Sequence, residues 1–333
     1  MSTYQPPFVI TPLILNQVIE VGELMGHWAA MAGRTSPLLR KENRIRTIQA
    51  SLAIEHNSLT TEQVTALMEG KRILAPAKDI QEVRNAILAY EKMSEWKSEK
   101  LSDLLQAHRV LMLGLVDNPG QLRTGNVGVY REKQLIHMAP PASQVFRLMN
   151  DLLGWLKTTE LHPLIAGAVF HYEFEFIHPF ADGNGRMGRL WQTLILREWR
   201  SELAWLPVET LIHYQQDRYY QVLGQCDRQS SCTPFIEFIL ENIISALQEG
   251  LGKSSALSEE MSEEMSEEMS PDLLDIEKRI LQILSNHPGR SAKSIADECE
   301  LSARTVERYL KALQLKGKLQ RVGATKGGMW RLL

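Results

Sequence analysis

Apolar positions in this chain recur mostly at intervals of three and four, the spacing of one helix face. Between residues 13 and 32 they fall at Leu15, Val18, Ile19, Val21, Leu24 and Met25. Residues 44–54 repeat the pattern with Ile45, Ile48, Leu52 and Ala53. Thr60-Thr61-Glu62-Gln63 has the form of a capping box that opens a further helix towards Gly70. Helical spacing returns at 101–114, 144–156 and 163–174, from Arg186 onward, and at 218–225 and 234–248. Pro163 suits the first turn of its helix. Two β-prone pieces, 127–130 and 134–138, flank the polar turn Arg131-Glu132-Lys133 and predict a hairpin. The pattern predicts a mainly α fold.

The periodicity breaks between 253 and 270. There Ser-Glu-Glu-Met occurs three times in succession, an acidic connector, expected to be partly helical, from which no globular core can be built. Beyond it, amphipathic helices are predicted at 273–284, 291–299 and 302–313, the last turning Val306, Tyr309, Leu310 and Leu313 inward. The pieces 318–322 and 329–333 complete a hairpin around 323–328. Three helices and a β-wing resemble a small winged helix-turn-helix domain. The division this implies is an N-terminal helical region at 1–100, a core at 101–252, a linker at 253–270 and the winged helix at 271–333.

Charge changes the picture only locally. The 333 residues are 44% hydrophobic and 23% charged, with a net charge of −3, so no global field draws the chain to nucleic acid or membrane. Residues 301–333, however, carry eight basic side chains against the single acid Glu307. Contact with DNA phosphates or with a protein is open to that segment. Cys226, Cys232 and Cys299 form no CxxC pair and suit a reducing compartment. Residues 1–16 lack a basic leader, and no 18-residue apolar span follows; a cytoplasmic location is expected. A homodimer is compatible with the sequence.

Chemistry concentrates where an apolar helix face, Met187, Leu190, Trp191, Leu194 and Ile195, begins just after a glycine-rich loop. Gly183 and Gly185 flank Asn184, so the backbone can approach a ligand closely. The helix start offers free N–H groups and a positive dipole end, an anion site. Arg186 and Arg189 lie three apart on one face of its first turn. Cations there oppose the dipole at a cost of up to about 1 kcal/mol each, which a strongly negative ligand reverses. Asp182 offers a hard oxygen of the kind Mg²⁺ uses beside phosphates. His178, four residues earlier, changes charge near neutral pH.

The run His178, Phe180, Asp182, Gly183, Asn184, Gly185, Arg186, Arg189 resembles the Fic family motif His-x-Phe-x-Asp/Glu-Gly-Asn-Gly-Arg-x-x-Arg at every defined position. The resemblance implies a Fic helical core and transfer of AMP from ATP to a protein hydroxyl on Ser, Thr or Tyr, including the chain's own. It casts His178 as the base, Asp182 as the Mg²⁺ ligand and Phe180 as a core anchor. Gly183, Asn184 and Gly185 would cradle the α- and β-phosphates, and Arg186 and Arg189 would hold the β- and γ-phosphates. Met187 and Gly188 belong to the same ATP-binding segment. Tyr219 falls where relatives place an aromatic beside the nucleotide, and Asp227 where they commonly have Asn. The hairpin at about 127–138 corresponds to the family's flap, which holds a protein target by strand addition.

Ser51-Leu-Ala-Ile-Glu55-His56-Asn57 resembles the family's inhibitory helix, Ser/Thr-x-x-x-Glu followed by Gly or Asn, with His56 in the last place. The resemblance implies that Ser51 and Glu55 belong to an inhibitory helix at about 44–56. Glu55 is expected to pair bidentately with Arg189 and so deny it to the γ-phosphate. Two alternatives accompany this reading. The same site could remove AMP, with Glu55 placing a water, or transfer another phosphate-containing group. The chain could instead be a DNA-binding regulator whose Fic domain senses nucleotide.

Overall fold

The computed structural model describes residues 4–31, 37–131, 134–268, 271–299, 301–315, 317–322 and 329–332. The described chain divides into two compact units, 1–254 and 255–333.

In the first unit, α1 (Pro12–Met31), α2 (Pro37–Ala53), α3 (Thr61–Met68) and α4 (Ala77–Lys92) precede α5 (Leu101–Leu111). The strands β1 (Gly128–Arg131) and β2 (Gln134–Met138) pair antiparallel, with a register shift between Val129 and Tyr130. Part of their turn, residues 132 and 133, lies outside the described residues. Then follow α6 (Ala142–Thr158), α7 (Pro163–Ile177), α8 (Asn184–Trp199), α9 (Val208–Tyr214), α10 (Gln216–Gln229) and α11 (Thr233–Glu268). The capping box is present: Thr60 Oγ1 accepts from the Gln63 N–H, and the Gln63 side chain accepts from the Thr60 N–H at 3.0 Å.

The centre of this unit is α7. It is apolar nearly all round, and from Leu164 to Phe174 every residue is buried, the mark of a helix enclosed on all sides. α8 packs along it. Gly167 permits this closeness, since a Cβ there would meet Ile195, Gln192 and Leu196 of α8 at 3.6–3.8 Å. Phe170, Phe174, Phe180, Trp191 and Leu194 join one continuous core. The sequence between α7 and α8 is therefore a short loop held at both ends by buried helices.

The helices depart from the sequence reading in several places. α4 was not anticipated, although Ile80, Val83 and Ile87 carry helical spacing. α11 runs on through Glu268, into the stretch expected as a connector. Glu and Met are good helix formers, and the repeat contains neither Gly nor Pro to stop the turn.

The second unit is a winged helix. α12 (Pro271–Asn286), α13 (Ala292–Cys299) and α14 (Ala303–Leu315) precede the antiparallel pair β3 (Leu319–Val322) and β4 (Met329–Leu332). Ile280, Leu284, Ile295, Val306, Leu310, Leu313, Leu319 and Trp330 form its core. Ser291 and Ser302 accept from the N–H groups of Ser294 and Thr305, capping α13 and α14. The wing's turn, 323–328, lies outside the described residues.

Candidate active site

Three interactions hold the loop between α7 and α8. His178 ends α7 in the left-handed region, φ 50° and ψ 61°, with its N–H still bonded to Phe174 O at 2.9 Å. The Asn184 side chain turns inward and braces Phe180, accepting from its N–H and donating to its carbonyl, both at 2.9 Å. His108 of α5 stacks on Phe180, ring centroids 3.6 Å apart and nearly parallel. The Gly120 N–H donates to His108 Nδ1 at 2.8 Å, so Nε2 carries the proton and donates to Asp182 O at 3.0 Å. Burial pushes His108 down to about 4, so it stays neutral as this arrangement requires. His108 falls within the helix read over 101–114 and is not singled out there; its use depends on tertiary contacts that periodicity does not carry.

Gly183 needs its glycine. Its φ is 84°, and a Cβ would lie 2.6 Å from Met112 Sδ. Its N–H donates to Asp182 Oδ1 at 2.6 Å. Asp182 Oδ1 also accepts from Arg186 Nη2 at 3.2 Å, while the side chain remains 56% exposed. Arg186 is buried and reaches a second carboxylate, Glu82 Oε1 of α4, at 3.2 Å. Glu82 in turn accepts from Asn57 Nδ2 at 2.8 Å.

Arg189 is buried and faces the end of α2. Its Nη2 donates to Glu55 Oε1 at 2.8 Å and to Ser51 O at 2.9 Å; its Nε donates to Ser51 Oγ at 3.1 Å. The expected bidentate fork on Glu55 is therefore not formed. One guanidinium edge is shared between a carboxylate and Ser51, so Ser51 and Glu55 hold it together. Burial, the largest influence, would weaken the hold of Arg189 on its proton, but the Glu55 charge and hydrogen bond, with Tyr219 and Tyr220, together outweigh it and the pKa rises.

The departure at His56 has a backbone explanation. Asn57 N–H bonds Leu52 O at 3.1 Å and His56 N–H bonds Ala53 O at 3.0 Å, the paired bonds of a Schellman cap. His56 occupies its left-handed position, φ 68°, where Gly or Asn is at ease. Asn57 does not substitute for it. Its Oδ1 accepts from Leu59 N–H and its amide braces Glu82.

A cavity of about 130 Å³ is lined by Glu55, His178, Gly185, Arg189, Tyr219, Tyr220, Asp227 and neighbours. Sites for small molecules typically measure roughly 300–1,000 Å³. Glu55 stands within this narrower space, so close to Gly185 that a Cβ there would collide with its carboxylate. Tyr219 is buried, its hydroxyl 3.2 Å from His171 Nε2. Tyr220, not singled out from sequence, also lines the cavity. Asp227 accepts from Tyr172 OH at 2.8 Å.

The remaining predicted site residues lie elsewhere. Asp182 borders a second cavity of about 450 Å³ with His108, Arg123, Gly125 and Val127. The Met187 side chain is in the core. Gly188 lies against α7, where a Cβ would stand 2.7 Å from Glu175 Oε1. Among the described residues, no group of three or more His, Cys, Asp or Glu side chains is arranged to hold a metal by itself.

Residues 98–196 match the Fic/DOC family, and residues 273–320 match a winged helix-turn-helix DNA-binding family. A solved Fic family protein from Desulfovibrio desulfuricans G20 is 46% identical to this chain, with a TM-score of 0.75 over 99% of this chain and 98% of that one. The chain belongs to the Fic family. Among curated relatives, the protein adenylyltransferase Fic of Nematostella vectensis is 30% identical over 214 residues, which is 60% of this Fic chain and 47% of that protein. The protein adenylyltransferase fic-1 of Caenorhabditis elegans is 28% identical over 229 residues, 64% of this chain and 42% of that one. This Fic chain thus spans under half the length of these two relatives. A solved C. elegans Fic-1 fragment (aa134–508) shares the fold at a TM-score of 0.58 and 20% identity, covering 73% of this chain and 74% of that one.

Proposed function

We propose that this chain is a protein adenylyltransferase that uses ATP and Mg²⁺ and is restrained by the end of its own α2. One observation carries the reading: Glu55 pairs with Arg189 inside the same cavity that His178 and Gly185 line. In the reaction, a Ser, Thr or Tyr hydroxyl oxygen of a protein attacks the α-phosphorus of ATP. The new P–O bond forms as the bond to the β-phosphate oxygen breaks, and pyrophosphate leaves. His178 accepts the hydroxyl proton. The N–H groups at the start of α8 and the guanidinium groups of Arg186 and Arg189 balance the phosphate charge.

Asp182 is exposed, and a lone carboxylate suits Mg²⁺, which is held by one or two carboxylates together with substrate phosphates. When bound there, the ion would neutralise phosphate charge. Asn184 contributes by bracing the loop with its side chain, leaving only its backbone to face a phosphate.

Replacing the proposed base tests the reading. His178→Ala should reduce AMP incorporation from α-labelled ATP by about 10²–10⁴-fold. Normal labelling by that variant removes His178 from the mechanism. Glu55→Gly frees Arg189 for a γ-phosphate and should raise labelling; unchanged or lower labelling argues against inhibition by α2.

The position of Glu55 also supports a second use of the site. Its carboxylate shares the cavity with His178 and could place a water for removal of AMP. Incubation with an already modified target separates the two directions. For the winged helix we propose DNA contact. Arg304 and Lys311 are exposed on α14, and the matched family is described as DNA-binding. Binding in a gel-shift assay should weaken steeply with salt.

A further inference from the structure

Arg123 is a buried cation between the hairpin and the end of α7. Its guanidinium donates to four backbone carbonyl oxygens. Nε reaches His178 O at 2.7 Å, Nη1 reaches Gly125 O at 2.9 Å, and Nη2 reaches Pro140 O at 2.5 Å and Ile177 O at 3.3 Å. Its own N–H donates to Pro179 O at 2.9 Å. Three successive carbonyls, 177, 178 and 179, therefore end on one residue, and His178 is held from both sides.

The chemistry of those oxygens explains the choice of side chain. Ile177 O and His178 O lie at the C-terminal end of α7, where carbonyls lack helical partners and carry the negative dipole end. His178 is also left-handed, a conformation that disfavours a residue with a side chain and that these bonds hold in place. Gly125 and Pro140 stand just before β1 and just after β2, at the two feet of the hairpin. A planar guanidinium can reach oxygens in several directions at once; a lysine ammonium is a single point.

We infer that Arg123 is the positioning residue for His178, fixing its backbone and tying the hairpin to it so that a target hydroxyl and the base meet in register. The inference rests on the adenylyl-transfer reading. It is distinct from the motif itself, because Arg123 lies 55 residues before His178 and makes this contact through its side chain. A base displaced by an ångström loses on the order of 100-fold in rate, although substrate binding elsewhere is untouched.

The test uses the full chain carrying Glu55→Gly, with and without Arg123→Lys. AMP transfer, ATP affinity and amide exchange of residues 128–138 and 177–180 are measured. In the lysine variant kcat should fall roughly 100-fold with ATP affinity unchanged, and exchange in both segments should quicken. An unchanged kcat overturns the inference. So does a loss of kcat and ATP affinity together, which would mark Arg123 as a support for the whole fold. If the parent transfers no AMP, the adenylyl-transfer reading fails. The clamp is then judged by exchange alone, where unaltered protection of both segments overturns it.

Discussion

His56 shows how a single residue can set the strength of a larger switch. It holds the left-handed place in the cap of α2, next to the Glu55 carboxylate that engages Arg189. A non-glycine residue there costs about 1–2 kcal/mol. His56→Gly should therefore stabilise the end of α2 by about 1 kcal/mol and lower basal AMP labelling. A rise in labelling would mean that the histidine holds α2 in place through its side chain. Gly183 makes the opposite case. Gly183→Ala adds a Cβ at φ 84° against Met112 and should lower the unfolding free energy by roughly 1–3 kcal/mol, read from urea denaturation.

Between elements, the sequence was most informative where a physical rule was local. The capping box at Thr60, the hairpin and the three C-terminal helices follow from cap chemistry and periodicity. The motif loop was legible because Gly183, Asn184 and Gly185 have few other uses in that order. What the sequence did not show was how helices share side chains. Glu82 of α4 holds Arg186, and Asn57, just past α2, holds Glu82, so Arg186 and Arg189 both meet carboxylates from the N-terminal region. Nothing in the spacing of Ile80, Val83 and Ile87 foretells that Glu82 would turn inward. His108 and Arg123 escaped notice for the same reason: each acts through backbone oxygens distant in sequence. Helix α9 was too short to be read from periodicity, yet it packs on α2 and presents Glu209, which accepts from Thr193 at 3.0 Å and Tyr90 at 3.4 Å.

For the molecule as a whole, buried titratable groups set a pH window. Burial pushes His108 down to about 4 and His171 down to about 3, and it pushes Glu209 up to about 7. The unfolded chain binds more protons than the folded one at the two histidines, from about pH 6.5 downward, so their contribution is lost on acidification. Glu209 acts in reverse: the folded chain holds its proton, so its contribution is lost as pH rises from about 4.5 through 7. Between about pH 4.5 and 6.5 two groups oppose one, so these three groups make stability rise with pH; near pH 7 and above their slopes nearly cancel and the curve flattens. Glu209→Gln should steepen the rise of stability between about pH 4.5 and 6.5; an unchanged slope assigns the pH dependence to other groups. No helix among the described residues is long and apolar enough to cross a membrane. The central claim, that Glu55 withholds a nucleotide site served by His178, is tested most directly by mass spectrometry. The full chain, its Glu55→Gly variant and the Glu55→Gly/His178→Ala double variant are each incubated with ATP, Mg²⁺ and a cell lysate. The expected result is added AMP on the chain or a lysate protein, most abundant with Glu55→Gly and lost in the double variant. No added AMP with Glu55→Gly, or undiminished AMP in the double variant, contradicts it.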